Sequence, residues 1–272
     1  AVAAAALAAC AAATVAQTRH WRDSLSLFSH SVAVTSDNYA AHFNLANALA
    51  GRGRLAEAEA HYRSTIAILP DHARAHNNLA NLLAGQGRTA EAIRQYEEAL
   101  RIVPGYTDAH NNLGLLLFDR NDRAGARSHY MASLRSRPRH AGTLYNLARL
   151  EAREGRVPEA LAAYTAAIES DPAFAPAHAA RGTLLAQSGR LPEAERDYRS
   201  AARLQRVRQQ CEQGRAEQCA GGKTDEVRQE GVPPFARHQH EAGGDHGGQC
   251  AAAARVEQDQ RQCGHEREPS IR

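Results

Sequence analysis

From Tyr39 to Arg208 the apolar and small positions of this chain recur every 34 residues. Five rows can be laid out, beginning at Tyr39, Ala73, Thr107, Ala141 and Ala175. The seventh column then reads Leu45, Leu79, Leu113, Leu147 and Arg181. The eighth is always small: Ala46, Ala80, Gly114, Ala148 and Gly182. The twentieth is always alanine, Ala58, Ala92, Ala126, Ala160 and Ala194, and the twenty-fourth always tyrosine, Tyr62, Tyr96, Tyr130, Tyr164 and Tyr198. A fixed period of this length predicts a stack of helix pairs. The small columns let two helix axes approach closely, while the leucines and tyrosine rings fill the seam.

Punctuation separates the two helices of each row. Gly53, Gly87, Gly155 and Gly189 stand where a first helix must end in a left-handed conformation, and Asn121 takes that place in the third row. Pro158 and Pro192 open second helices, where a missing N–H costs nothing. Glu57, Glu91, Glu159 and Glu193 fall in the first turn, at the positive end of the helix dipole. Pro70, Pro104, Pro138 and Pro172 close the second helices.

The flanks differ. Residues 1–16 carry no charge, against the roughly 18–20 apolar residues a spanning helix needs. Three readings fit residues 1–18: a truncated transmembrane helix, the tail of a signal peptide, or a soluble alanine-rich helix. The first residue is alanine, so the start of the gene product is expected upstream or removed by processing. Residues 19–38 read as half a repeat, with Ser24, Phe28, Ser31 and Val32 in the register of a second helix and Ser36 where a proline would stand. Residues 205–272 contain no tyrosine or tryptophan and are rich in Gln, Gly, Arg, His and Glu, too polar to offset ordering entropy. A disordered tail over 209–272 is expected, with one short helix near 205–219 and ordered packing ending about Arg206, where the next proline is due. An out-of-frame translation is the alternative for that tail.

Composition narrows the function. A net charge of +3 and no basic funnel argue against a nucleic-acid partner. None of the five cysteines forms a CxxC, and Cys10, Cys211, Cys219, Cys250 and Cys263 match no structural-zinc spacing. The motifs GxxxxGK[ST], HExxH and GxSxG are missing, so no catalytic residue, cofactor or metal is expected, and the chain is not expected to be an enzyme. His42, His76, His110 and His178 share the fourth column; one per row makes a line, not a tetrahedral cluster, and predicts packing between helices.

These columns carry a resemblance. The L-G/A…Y…A…P pattern over 39–204 resembles the tetratricopeptide repeat (TPR) family. It implies an all-α fold, a right-handed TPR superhelix whose first helices line a concave face. Histidine and Leu144 stand where the family has a large aromatic, and Arg181 makes the fifth repeat look terminal.

Asn44, Asn78, Asn112 and Asn146 fill the sixth column, on the first helices. Amides both donate and accept. Such a row either grips an extended polypeptide or bridges adjacent helices. On the same face lie Asn47 and Asn81, with Arg149 in the same column, then Phe43, Asn77, Asn111 and Tyr145, with Phe118 and Arg153 further along. The mixture suits a polypeptide partner with occasional apolar anchors.

The strings AHFNLANAL and AHNNLANLL resemble the TPR arm of O-GlcNAc transferases. The junction around Trp21, Asp23, Ser24, Leu27 and Phe28 resembles that of membrane transmembrane-and-TPR protein O-mannosyltransferases. The expected function is a protein–protein interaction module binding a polypeptide in the groove. The alternative is the acceptor-docking arm of a glycosyltransferase whose catalytic domain is not in this chain. The expected location is membrane-associated through the N-terminal segment with a soluble repeat domain; cytoplasmic is the alternative.

Overall fold

The structure is a computed structural model that describes residues 23–221 and scattered positions before Asp23. Most of the expected apolar segment, residues 1–18, lies outside the described residues, as does the tail beyond Gly221. Among the described residues no helix is long and apolar enough to cross a membrane. The chain divides into two compact units, residues 1–154 and 155–272.

The first unit holds α1 (Ser24–Val34), α2 (Tyr39–Gly51), α3 (Leu55–Ile68), α4 (Ala73–Gly85), α5 (Thr89–Ile102), α6 (Thr107–Asp119), α7 (Arg123–Ser136) and α8 (Ala141–Arg153). The second holds α9 (Val157–Ser170), α10 (Ala175–Gln187) and α11 (Leu191–Gly221). No strand occurs among the described residues. The fold class is all-α, built of helix-turn-helix repeats. In the first unit α2 packs on α3, α4 on α5 and α6 on α7, and each pair packs on the next. α1 lies against α2 and brings Leu25, Phe28 and Val32 to the core.

Local chemistry sets the boundaries. Asp23 and Asn38 cap α1 and α2 by accepting from the N–H of Ser26 (2.8 Å) and Ala41 (2.9 Å). Gly87 at φ +77° and Asn121 at φ +64° take the left-handed turn that ends a first helix. α3 stops at Ile68, α5 at Ile102, α7 at Ser136 and α9 at Ser170, each two residues before its proline. Leu69, the residue before Pro70, is accordingly extended (φ −130°, ψ 89°). At Arg206 no proline interrupts the ladder, so α11 runs on to Gly221, and the short helix expected near 205–219 is a continuation of the last repeat helix.

The core follows the columns. Ala46, Ala58, Ala80, Ala92, Ala126, Ala148 and Ala160 are wholly buried. Leu79, Leu83 and Leu113 fill the space between them, each burial contributing roughly 1.5–3 kcal/mol. The tyrosines are amphipathic wedges. Tyr62 and Tyr96 donate to the side-chain oxygens of Asn47 (2.7 Å) and Asn81 (2.5 Å), both in the ninth column. In the third repeat that column is Leu115, and the buried Tyr130 hydroxyl has no partner among the described residues. Its ring packs on Gly114, where a Cβ would meet Tyr130 Cε1 at 2.7 Å.

Candidate functional site

The first helices of residues 39–154 present the asparagines, and the structure shows where their bonds go. Asn78 Nδ2 donates to Asn47 Oδ1 at 3.0 Å, and Asn112 Nδ2 donates to Asn81 Oδ1 at 3.0 Å. Each sixth-column amide thus reaches back to the ninth column of the preceding repeat. Asn146 Nδ2 donates instead to Asn111 Oδ1 at 3.0 Å, beside Thr143 Oγ1 at 3.1 Å, because the ninth column there is Leu115. Asn77 and Asn111 donate to their neighbours Asn78 and Asn112, both at 3.2 Å. The asparagines form cross-braces between repeats, and each bond is worth about 1 kcal/mol net.

Binding capacity remains. Asn44 makes no hydrogen bond among the described residues. It is half-buried, as are Asn47, Asn78, Asn111 and Asn112, while Asn81 is exposed. Asn77 and Asn146 are buried, and the Asn77 Oδ1 has no partner among the described residues. Phe43 is only 6% exposed, so it packs rather than projects as an anchor. Its ring lies 4.7 Å from that of His72 and 6.1 Å from that of Tyr62.

Arginines complete this face, and one of them carried no sequence signal of its own. The Arg74 guanidinium sits over Phe43, 5.3 Å from the ring centre. Arg149 lies over Phe118 at 5.2 Å and over Tyr145 at 5.7 Å, and Arg153 covers Phe118 at 5.2 Å. Stacking on a ring holds a guanidinium in place without neutralising it. None of the three has a carboxylate partner among the described residues. By contrast, Arg127 on α7 is engaged by Glu151 and Glu154, the latter at 2.7 Å. The geometry offers fixed cations on flat aromatic surfaces beside an amide row, a combination that can pair with acidic groups.

The histidine column packs between helices. His110 Nε2 donates to the Pro104 carbonyl at 2.9 Å, leaving its Nδ1 to accept from His129 Nδ1 at 3.0 Å. His42 and His61 form the same pair at 2.9 Å. His76 also donates to a proline carbonyl, Pro70, at 2.9 Å, and meets the Gln95 amide at 2.8 Å. Among the described residues no group of three metal-ligating side chains converges. His72 and His140 instead cap α4 and α8 through a neutral Nδ1, at 3.0 and 3.3 Å.

Burial depresses the pKa of His61 and His129, and the paired His42 and His110 depress it further. Burial likewise lowers His72 and His140. The unfolded chain therefore takes up protons first as pH falls, and stability present above about pH 6.5 is lost below it. Urea midpoints should fall between pH 7 and pH 5. The double variant His61→Gln/His129→Gln, which copies the His76–Gln95 pairing, should show a shallower slope; an unchanged slope would count against these pairs.

Comparison with known proteins agrees with the columns. Two tetratricopeptide-repeat family models match, one over residues 37–105 and one over 111–175 and 145–208. No curated protein matches the sequence. Among solved structures the chain is similar to MamA from Desulfovibrio magneticus RS-1, with 18% identity and a TM-score of 0.54 over 63% of this chain and 97% of that one. It is similar to YrrB, described as a TPR protein with an unusual peptide-binding site, with 22% identity and a TM-score of 0.51 over 65% and 92%. It is also similar to pilF of Pseudomonas aeruginosa, with 18% identity and a TM-score of 0.58 over 61% and 75%. At these identities the likeness is one of fold. With small residues, tyrosines and left-handed turns all recurring every 34 residues across the span that the family models match, the chain belongs to the tetratricopeptide repeat family.

Proposed function

We propose that this chain is a non-catalytic interaction module that binds a polypeptide on the first-helix face of residues 39–154. The observation that carries the reading is the set Arg74, Arg149 and Arg153, stacked on Phe43, Phe118 and Tyr145 and left without carboxylates. A cation held over a ring loses little side-chain freedom when it pairs, so its bond to an incoming acidic group costs less ordering entropy. The unspent donors of Asn44, Asn78 and Asn112 lie on the same helices and suit backbone carbonyls of an extended chain.

The reading is tested with a random 12-residue peptide display library selected on the full chain. Enriched peptides should be acidic, and Arg149→Gln with Arg153→Gln should weaken them at least about tenfold, the loss of one charged hydrogen bond or more. The melting temperature should stay within about 2 °C, since these arginines are surface groups. Selection without enrichment, or equal affinity for the double variant, refutes the site.

A second reading makes the same face the acceptor-docking arm of a protein glycosyltransferase, attached to a membrane through residues 1–18. The asparagine strings at 41–49 and 75–83 favour it. Coding sequence upstream of Ala1 decides it: several apolar spans with an acidic loop support the enzyme, and a start codon within a few residues removes it.

A further inference from the structure

In the second unit a cavity of about 350 Å³ opens between α9, α10 and α11. Leu161 and Leu185 form its apolar wall, and Arg181, held by Asp197 and Thr165, forms its floor. Arg190, Glu193 and Arg196 make the rim. Arg190 pairs with Glu193 through two bonds of 2.7 Å, while Arg196 makes no hydrogen bond or ion pair among the described residues. Among the described residues three guanidiniums thus face two carboxylates, an excess of one positive charge.

The chain itself shows what closes such a place. Three repeats earlier, Arg88, Glu91 and Arg94 hold the register positions of Arg190, Glu193 and Arg196. There the position of Leu161 is Glu59. The Glu59 carboxylate accepts two bonds of 2.8 Å from Arg88 and one of 2.8 Å from Arg63, while Arg88 also grips Glu91. In the second unit leucine has replaced that glutamate and Thr165 has replaced Arg63, but the arginine–glutamate pair that received it is kept. The pair also recurs at Arg54 and Glu57, where Ala60 stands in the column of Arg94 and Arg196; the third arginine is what the second unit shares with the place of Glu59.

We propose that this cavity receives the side-chain carboxylate of a glutamate from a partner polypeptide, which takes the place Glu59 holds between the first two repeats. The carboxylate pairs with Arg190, the counterpart of Arg88, while Arg196 on the rim adds a second positive charge, and an apolar residue next to it in the partner covers Leu161 and Leu185. Glu59 is presented by a helix, so a helical segment is the form that fits. This site lies in residues 155–221 and is separate from the first-helix face proposed above.

The test uses the full chain and calorimetric titration with a capped, alanine-rich helical peptide carrying one Leu-Glu pair, beside the same peptide with glutamine. The glutamate peptide should bind at least about tenfold more tightly, as expected for a charge-paired hydrogen bond. Leu161→Glu, which supplies the carboxylate from within, and Arg196→Gln, an exposed change, should each weaken it similarly. Arg149→Gln/Arg153→Gln should leave it unchanged. Equal affinities for the two peptides, no binding of either, or full binding to Leu161→Glu would overturn the proposal. Glutarate binding as tightly as the peptide would overturn its polypeptide part. Loss confined to the Arg149/Arg153 variant would assign the peptide to the first-helix face and overturn the cavity as its site.

Discussion

Replacing Arg181 with leucine, the residue of that column in the other four repeats, should destabilise the second unit by about 3 kcal/mol. Arg181 donates to both oxygens of Asp197, at 2.7 and 2.8 Å, and to Thr165 at 2.9 Å. Asp197 is 5% exposed. Removing the guanidinium strands a buried carboxylate, whose desolvation is then uncompensated. His178, 3.5 Å away, supplies only an electrostatic contact.

Burial pushes the Asp197 carboxyl up, but the bonds and charge of Arg181, with a smaller share from His178, outweigh it and hold the group below its ordinary range. Its folded pKa is thus depressed, so the pair's stabilisation is present above about pH 4 and lost as pH falls through the folded value. In the second repeat the same two columns hold Leu79 and Gln95, with His76 bonded to the glutamine. The double variant Arg181→Leu/Asp197→Gln copies that solution and should recover stability to within about 1 kcal/mol of the parent. Urea unfolding of the three chains measures both numbers. A single variant as stable as the parent would show that the pair does not hold this unit together.

Ala92→Leu should cost about 2–3 kcal/mol. Ala92 is fully buried on α5, and its column is alanine in all five repeats. The third repeat shows how tight the seam is: a Cβ at Gly114 would come within 3.3 Å of the Ala126 carbonyl oxygen, a member of the Ala92 column. Three further carbons must therefore push α4 and α5 apart or force strained rotamers, since interiors pack like crystals. Ala90→Leu, exposed on the same helix, is the control and should stay within about 0.5 kcal/mol. Equal urea midpoints for the two variants would place the seam elsewhere.

Much of the fold was legible because each feature depends on neighbours within one repeat. Left-handed turns at Gly53, Gly87, Asn121, Gly155 and Gly189 were readable from residue type, since few side chains tolerate positive φ. The prolines marked helix ends through their effect on the preceding residue. The histidine column was readable as packing, but not its partners nineteen residues on, His61, Gln95 and His129.

The candidate site was less legible. Sixth- and ninth-column asparagines were visible as a row, yet the bond from Asn78 to Asn47 spans 31 residues and depends on how closely one repeat sits on the next. Phe43 read as an anchor because it shares a helix face with the asparagines; Tyr62, His72 and Arg74 bury it. Arg74 gave no signal, because nothing in its own repeat marks it as stacked on the ring of the repeat before.

The sequence by itself determined the period, the ends of the helices and the small-residue seam, because these follow from backbone sterics and side-chain volume. Only the tertiary structure decided which polar groups are spent and which are free. A hydrogen bond or ion pair is settled over a few tenths of an ångström between residues one repeat apart. At that scale Asn78 became a brace, Arg149 and Arg153 kept their charge, and the place filled by Glu59 was left open beside Leu161.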